Sequence, residues 1–551
     1  MNADALHARG AAAQAQGDWS GARTAFEAAL AADPAHLPSL VDLGVARFWL
    51  RDHDGAAESF LAALRLRPDD RAIAINLARA YEEGMRPAAA ERLWRALIAA
   101  DPSDPGPYTH LGNTLMWRSR QEEAIEAYRT ALARARGPAR AQVWKSYINA
   151  HLYAAAVAPE RIRDVAAEYA AEFAPAIPPP PFANDPDPER RLRVGYVTSD
   201  LRAHSAARSF DALFEHADRA RFSIHVYHDT DVHDATTAKF RARCDGWRTS
   251  YDLDPPALAA AIRADGIDVL VTMAQHFDRN RIDPVLHRAA PVRINAFDVA
   301  TSGTDAYDAF FADPTMAAAR GDAFTERVVR LRTVYVHPPL DLAPPVARAP
   351  SAAGGPIAFG SANNPVKISS TTIALWAAVL RAVAGSTLRL KFHAAYRERE
   401  VREGLAARFA AHGIPSDRLV FELGGIATED HLRFYDRVDV ALDTFPFTGS
   451  TTTFEALWMG VPVVTRAGDT VVSRWSAGLL ARVGRRDLTA EDDAGFVALA
   501  VREAGAAARQ DRAALRAAVR GSVLCDAVRQ ARDFERVYRA LWRRWCAKAR
   551  A

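Results

Sequence analysis

The chain is poor in cysteine, in long apolar runs and in excess charge of either sign. Its three cysteines among 551 residues, Cys244, Cys525 and Cys546, lie far apart, with no CxxC pair and no metal-ligand spacing. That excludes a disulfide-stapled scaffold and a structural zinc site, and it fits a reducing compartment. No run of about 18 apolar residues is free of charge, so no membrane span is expected. The opening MNADALHARG lacks the basic-then-apolar pattern of a secretory signal, and the expected location is the cytoplasm. Lys plus Arg number 70 against 67 Asp plus Glu, a net charge of +3. No long block of one sign stands out, which argues against a dedicated nucleic-acid or anionic-lipid surface. What remains is an ordinary globular composition, 49% apolar and 25% charged. At about 150 residues per domain, the length allows roughly three to four domains.

Self-similarity dominates the first quarter. Phe26, Phe60, Trp94 and Tyr128 follow one another at a step of 34 residues. Ala22, Ala56, Ala90 and Ala124 keep the same step, as do Leu43, Leu77 and Leu111 and the breakers Pro34, Pro68 and Pro102. Each unit reads as two amphipathic helices, with a small residue where they cross, an aromatic in the gap and a proline ending the second. This resembles the tetratricopeptide repeat, an α-solenoid whose concave face suits extended peptides. A spacer or dimerisation arm is the blander use of such an array. A helical stretch over 139–173 caps it, and APAIPPPPFANDPDPER then forms an extended linker.

Beyond the linker the period changes. RLRVGYVTSD, RFSIHVYHD, IDVLVTM, PVRINAF and YDAFFAD read as strands interleaved with helices. The cycle restarts after APPVARAPSAAGG with IAFGSANN, LRLKFHA, RLVFEL, VDVALDTFP and PVVT. Such alternation implies doubly wound parallel sheets, which bind ligands at the carboxyl ends of their strands. The expected domains are 1–138 for the repeats, 139–190 for capping helices and linker, and 191–345 and 346–551 for two α/β lobes.

Two stretches carry chemistry. In residues 442–484 a buried strand ends at Asp443, a glycine-containing turn follows, and a helix opens near Thr452. Free N–H groups and the dipole at such a helix start attract phosphate. Thr451, Thr452 and Thr453 could add hydroxyl donors, and Glu455 could accept from a ribose; an ordinary Thr-rich cap is the alternative. In residues 359–383 a strand runs into a polar loop with Asn363, Asn364 and Lys367. A lysine there could neutralise charge building on a leaving diphosphate, although a solvated lysine is the commoner case.

DTFPFTGSTTTFEALWMGVPVVT and FGSANNPVKI, behind tetratricopeptide repeats, resemble the family-41 glycosyltransferases. These are the O-linked N-acetylglucosamine transferases and the SPINDLY-type protein O-fucosyltransferases, and the resemblance covers nearly the whole chain. It implies a GT-B fold of two facing Rossmann-like domains. It also implies inverting, metal-independent sugar transfer from a nucleotide diphosphate to Ser or Thr of a protein docked on the repeats. By the same resemblance Lys367 contacts the donor diphosphate and stabilises the departing charge. Thr451 and Thr452 form the phosphate-binding pair, Glu455 lies by the ribose, Asn364 contacts the nucleotide and His431 stacks on the base. His204, in GYVTSDLRAHSAARSF, matches a histidine that either takes the acceptor's proton or orients the sugar. The implied donor is UDP-GlcNAc; GDP-fucose and another activated sugar, as in flagellin-modifying enzymes, are alternatives.

The chain also departs from that pattern. Asp268 stands where animal members have a second active-site histidine, which makes Asp268 and the nearby His276 candidates for the acceptor side. FDVATSG at 297–303 replaces a glycine-rich loop, Thr428 replaces a phosphate-contacting lysine, and Ser450 precedes Thr451. The repeats' peptide-binding asparagine column reads Asp42, Asn76 and His110. A repeat scaffold with an inactive transferase half, or a repeat-mediated homodimer, stays open on these grounds. Retention of Lys367, Thr451, Thr452, Glu455, His431 and His204 argues for activity. The DxD-like Asp229-Thr230-Asp231 in HVYHDTDVHD is expected to be a polar loop instead of a metal site. DFERVYRALWRRWCAKAR reads as an amphipathic closing helix with solvated arginines, not a membrane or nucleic-acid surface.

Overall fold

The computed structural model describes residues 2–155, 157–176, 181–274, 277, 280–318, 323–340, 342–424 and 428–550. The chain folds as two compact units, Met1–Ala150 with Phe392–Arg408, and His151–Lys391 with Phe409–Ala551.

In the first unit the 34-residue step becomes paired helices: α1 (Ala3–Ala15), α2 (Trp19–Ala32), α3 (Leu37–Trp49), α4 (His53–Leu66), α5 (Arg71–Glu83), α6 (Pro87–Ala100), α7 (Pro105–Trp117) and α8 (Gln121–Arg134). The repeated alanines are fully buried, and Phe26, Phe60, Trp94 and Tyr128 expose at most 2% of their surface. Gly10, Gly44 and Gly112 lie directly under three of these rings, where a Cβ would stand 2.4–2.5 Å from ring carbons. These three aromatics thus fill sockets floored by the partner helix, and truncation of one to Ala costs about 3–5 kcal/mol.

Segment 392–408 packs with the repeats, which differs from the expected assignment of that stretch to the last α/β lobe. Buried Tyr396 and Leu405 and a set of polar contacts hold it there. Helices α2 and α4 are capped by their own Asp18 and Asp52, which accept from Gly21 N at 2.9 Å and Gly55 N at 3.0 Å. Helix α6 has no side-chain cap of its own. Glu398 supplies one, accepting from Ala88 N at 2.9 Å beside Arg86 at 3.7 Å. Arg397 pairs with Asp54, Glu400 with Arg92 at 2.6 Å, and Arg408 donates to the Ser119 carbonyl at 2.7 Å.

The second unit contains two sheets. The first runs β3-β2-β1-β4-β5-β6-β7, built from β1 (Leu192–Thr198), β2 (Phe222–His228), β3 (Gly246–Thr249), β4 (Val269–Met273), β5 (Val292–Ala296), β6 (Ala309–Ala312) and β7 (Val328–Arg330). The second runs β10-β9-β8-β11-β12-β13, built from β8 (Ala358–Ser361), β9 (Thr387–Lys391), β10 (Leu419–Glu422), β11 (Val440–Leu442), β12 (Val463–Arg466) and β13 (Thr489–Ala490). These strands pair in parallel. All ten expected strands are present; β3, β7 and β13, each at a sheet edge, are additional. Strand order reverses between β1 and β4 and again between β8 and β11, and such reversals open a crevice at the carboxyl ends of those strands.

Two further features shape the site. The closing helix Ala527–Arg550 crosses to the first sheet, where Phe534, Tyr538, Trp542 and Cys546 share a buried cluster with Val194, Phe222 and Phe311. Its arginines are not all solvated: Arg539 is buried and donates to the Pro188 carbonyl at 2.7 Å. Behind the strand ends, Leu152 and Ile162 from the capping helices pack with Val299, Ala300, Phe447 and Val472. Gly303 lies against the helix Pro159–Phe173, where a Cβ would meet the backbone of Ala166 at 2.2 Å. That contact calls for the glycine that ends FDVATSG.

Candidate functional site

The second sheet's reversal gathers the two chemistry-bearing loops. Asp443, just past β11, is the hub. Its Oδ1 accepts from Thr444 N at 2.9 Å, Gly449 N at 2.8 Å and Asn363 Nδ2 at 3.3 Å, and its Oδ2 accepts from Thr465 Oγ at 2.7 Å. Burial raises its pKa, against the pull of these donors. Asn363 in turn accepts from Thr452 Oγ at 2.7 Å, which joins the β8 loop to the helix Thr451–Trp458. Asn364 acts locally, accepting from Val366 N at 3.1 Å and capping the turn that lifts Lys367.

Lys367 Nζ donates to the Thr448 carbonyl at 3.0 Å and stands 4.4 Å over the Phe447 ring. Burial pushes its pKa down to about 8, while Asp443 pulls the other way. Phe447 also stacks on Tyr153, with ring centroids 4.4 Å apart. Helix starts on this edge differ. Ser369 caps Ser370–Ala382 by accepting from Thr372 N at 3.1 Å, whereas Ser450 makes no side-chain cap for Thr451–Trp458. The uncapped start leaves N–H groups for an anion beside Lys367. Gly449 is required there, because a Cβ would come within 2.3 Å of Thr453 Oγ and 2.9 Å of Thr452 Oγ.

Glu455, one turn into that helix, is buried and lies 3.0 Å from His431 Nε2. Tyr435 Oη donates to the Thr452 carbonyl at 3.0 Å, and Lys391 Nζ donates to the Asp430 carbonyl at 3.1 Å. Together they fix the short helix Thr428–Leu432 that presents His431. The other oxygen of Glu455 faces Arg208, from the helix Ala207–Glu215 of the first lobe, at 3.7 Å. Lys367, His431, Thr451, Thr452 and Glu455 therefore share one edge.

On the first lobe, His204 is exposed just beyond β1, with Nδ1 3.9 Å from Asp200 and 3.4 Å from the Ala206 N–H. The reading of Asp268 is corrected by the fold. Asp268 precedes β4, at the amino end of the sheet, fully buried against Arg190, Asn184 and Arg193 N at 2.8 Å. It braces the linker and is remote from the strand ends that open on the crevice. His276, with Asp278 and Arg279, lies outside the described residues, as does the side chain of Thr428. Asp229 binds Ser250 Oγ at 3.2 Å and Arg281 at 3.5 Å, and Asp234 caps the helix Ala235–Arg241. Among the described residues no group of three or more His, Cys, Asp or Glu is arranged for a metal ion, and no helix is long and apolar enough to cross a membrane.

In the repeats, Asp42 is bonded to His7 at 2.9 Å, and His110 is bonded to Glu82 at 3.0 Å and stacked on Trp94. Asn76 is partly exposed. Residues missed in the sequence reading are Arg208, Asp443, Phe447 and Tyr435. Asp443 carried a signal, an acid at the end of a buried strand; the others act between segments distant in sequence.

The family model described as glycosyl transferase family 41 matches residues 177–337 and 350–533, and a tetratricopeptide repeat model matches 7–71 and 41–105. The SPINDLY protein of Petunia hybrida, named a probable UDP-N-acetylglucosamine–peptide N-acetylglucosaminyltransferase, is 31% identical over 375 residues, 66% of this chain and 40% of its own. The SEC protein of Arabidopsis thaliana, named likewise, is 23% identical over 376 residues, 65% of this chain and 38% of its own. The solved structure of a variant O-GlcNAc transferase from Thermobaculum terrenum is 29% identical with a TM-score of 0.80, covering 99% of this chain and 98% of that one. The chain spans about 40% of the length of the SPINDLY relatives it matches.

Proposed function

Because the chain belongs to glycosyl transferase family 41, we propose that it is an inverting protein O-glycosyltransferase. It moves GlcNAc from UDP-GlcNAc to Ser or Thr of a protein acceptor recruited by the repeats. The observation that carries this reading is the meeting of Lys367 with the uncapped start of Thr451–Trp458 at the β8/β11 reversal. Both offer positive charge where a leaving diphosphate would gather negative charge. The names of the relatives support UDP-GlcNAc as donor.

In this reaction the acceptor oxygen bonds to the anomeric carbon as the bond to the diphosphate oxygen breaks. Lys367 and the first-turn N–H groups take up the developing charge, needing no metal on this reading. The Thr451 hydroxyl and the N–H groups of Thr451 and Thr452 hold phosphate oxygens, the Thr452 hydroxyl being given to Asn363; Glu455 accepts from the ribose, and His431 covers the base. The Ala206 N–H directed at His204 Nδ1 favours the tautomer with hydrogen on Nε2. His204 then orients the sugar as a donor, and the acceptor's proton leaves through a donor phosphate oxygen or water.

Calorimetric titration with UDP, GDP and CMP, on the wild type and on Lys367→Ala, tests the site. UDP should bind and weaken at least about tenfold in the variant, the loss of one charge-assisted contact. A preference for GDP would shift the donor to a GDP-sugar such as GDP-fucose, and a preference for CMP would shift it to an acidic sugar. Binding of none of the three would remove the donor site and favour the inactive scaffold. Transfer of label from UDP-GlcNAc to protein completes the test.

A further inference from the structure

Glu455 sits between two basic groups drawn from different lobes. His431 Nε2, from the same lobe, lies 3.0 Å from Oε2, and Arg208 Nη1, from the first lobe, lies 3.7 Å from Oε1. The carboxylate is buried, while Arg208 is partly exposed. A buried carboxylate needs a nearby cation or donors to offset its lost hydration. At 3.7 Å the guanidinium is close enough to act electrostatically, yet too far to occupy Oε1 with a normal hydrogen bond. Oε1 is left able to accept.

The other basic groups nearby are engaged or neutral. His337 is buried and stacked on Phe454 at 4.5 Å, and burial, reinforced by Arg208, pushes its pKa down to about 3. Lys391 is turned to the Asp430 carbonyl at 3.1 Å. Arg208 is thus the guanidinium that faces the ribose-side carboxylate from across the crevice.

We propose that Arg208 is a positioning residue of the donor site, aiming the Glu455 carboxylate so that Oε1 accepts a ribose hydroxyl of a nucleoside diphosphate. The inference rests on the donor-site reading of Glu455 above. It makes ribose recognition by the second lobe depend on a side chain of the first.

The test compares UDP and GDP with their 2′-deoxy and 3′-deoxy forms by calorimetry. The proteins are the wild type, Arg208→Gln, Arg208→Lys, Glu455→Gln and the double variant Arg208→Gln/Glu455→Gln. In the wild type, loss of the accepted hydroxyl should weaken the bound nucleotide roughly tenfold, the value of a charge-assisted hydrogen bond. Arg208→Gln should compress that ratio below about threefold, and Arg208→Lys should keep most of it. Glu455→Gln should lose it, and adding Arg208→Gln should change nothing further. Preference for diphosphate over monophosphate should not move in Arg208→Gln. The inference is overturned if Arg208→Gln keeps the full hydroxyl ratio, or if it weakens the ribose and deoxyribose forms equally. A wild type that binds one nucleotide without sensing either hydroxyl also overturns it, leaving the donor site standing. A wild type that binds neither UDP nor GDP strikes the donor-site reading itself, and this inference with it.

Discussion

On the second lobe the site loops are tied to one another through Asp443, Asn363, Thr452 and Tyr435 at distances of 2.7 to 3.3 Å. On the first lobe, His204 and Arg208 reach toward the crevice with side-chain contacts of 3.4 to 3.9 Å. The edge proposed to hold the donor is thus tied by its own hydrogen bonds, whereas the facing edge is tied less closely. On the proposed function, such preorganised charge would serve a leaving diphosphate, because dipoles already in place need not reorganise as the bond breaks.

The strongest challenge to this contrast is Lys367→Met. Transfer should fall by a factor of about 100 to 1,000, as when one charge-stabilising donor is deleted. The same change removes a cation that burial disfavours, so the folded state should gain about 1–2 kcal/mol, read as a higher Tm. Loss of activity together with a lower Tm would show that the lysine is a brace. Next comes Asp443→Ala, which strands the Thr444 and Gly449 N–H groups. It should cost about 2–4 kcal/mol in urea unfolding, while Asp443→Asn, which keeps an oxygen toward them, should retain most of the stability. Equal losses in the two variants would mean that the hub acts through its charge.

His204→Ala addresses the looser edge. Transfer should drop about tenfold to a hundredfold while nucleotide affinity stays within about twofold. If affinity fell in parallel with transfer, His204 would belong with the donor edge and the contrast between lobes would fail. The smallest effect is in pH. Lys367 has a pKa of about 8 in the free protein, so below that value it is charged and binding needs no proton. Above it, a nucleoside diphosphate must draw a proton onto the lysine, and affinity should decline by up to about tenfold per pH unit. A flat profile from pH 7 to 10, read calorimetrically in buffers of different ionisation heat, would contradict that assignment.

How much could be read from the residues alone follows from how locally each feature is written. The repeats are plain because Phe26, Phe60, Trp94 and Tyr128 are buried at the same step in every unit. The central strands were plain because they are buried runs of apolar residues, while β3, β7 and β13 are short edge pieces with little burial to mark them. Lys367, Thr452 and Glu455 lie on strand–loop–helix junctions, a local signature. Arg208 and Phe447 act through partners hundreds of residues or a whole lobe away, and no local pattern announces them. Asp268 was misplaced because alignment by motif does not tell the entry of a strand from its exit. Glu398 escaped because a missing cap on α6 is silent until its distant substitute is seen.

The aromatic pair behind Lys367 has one more consequence. A ring face attracts an ammonium over a broad patch, with little preference for direction, unlike the narrow aim of a hydrogen bond. Phe447, itself stacked on Tyr153, therefore adds a hold of broad aim on Nζ to the directional one from the Thr448 carbonyl. On the proposed function, a leaving diphosphate would compete for the Thr448 bond alone, and the ring would keep its hold on the ammonium.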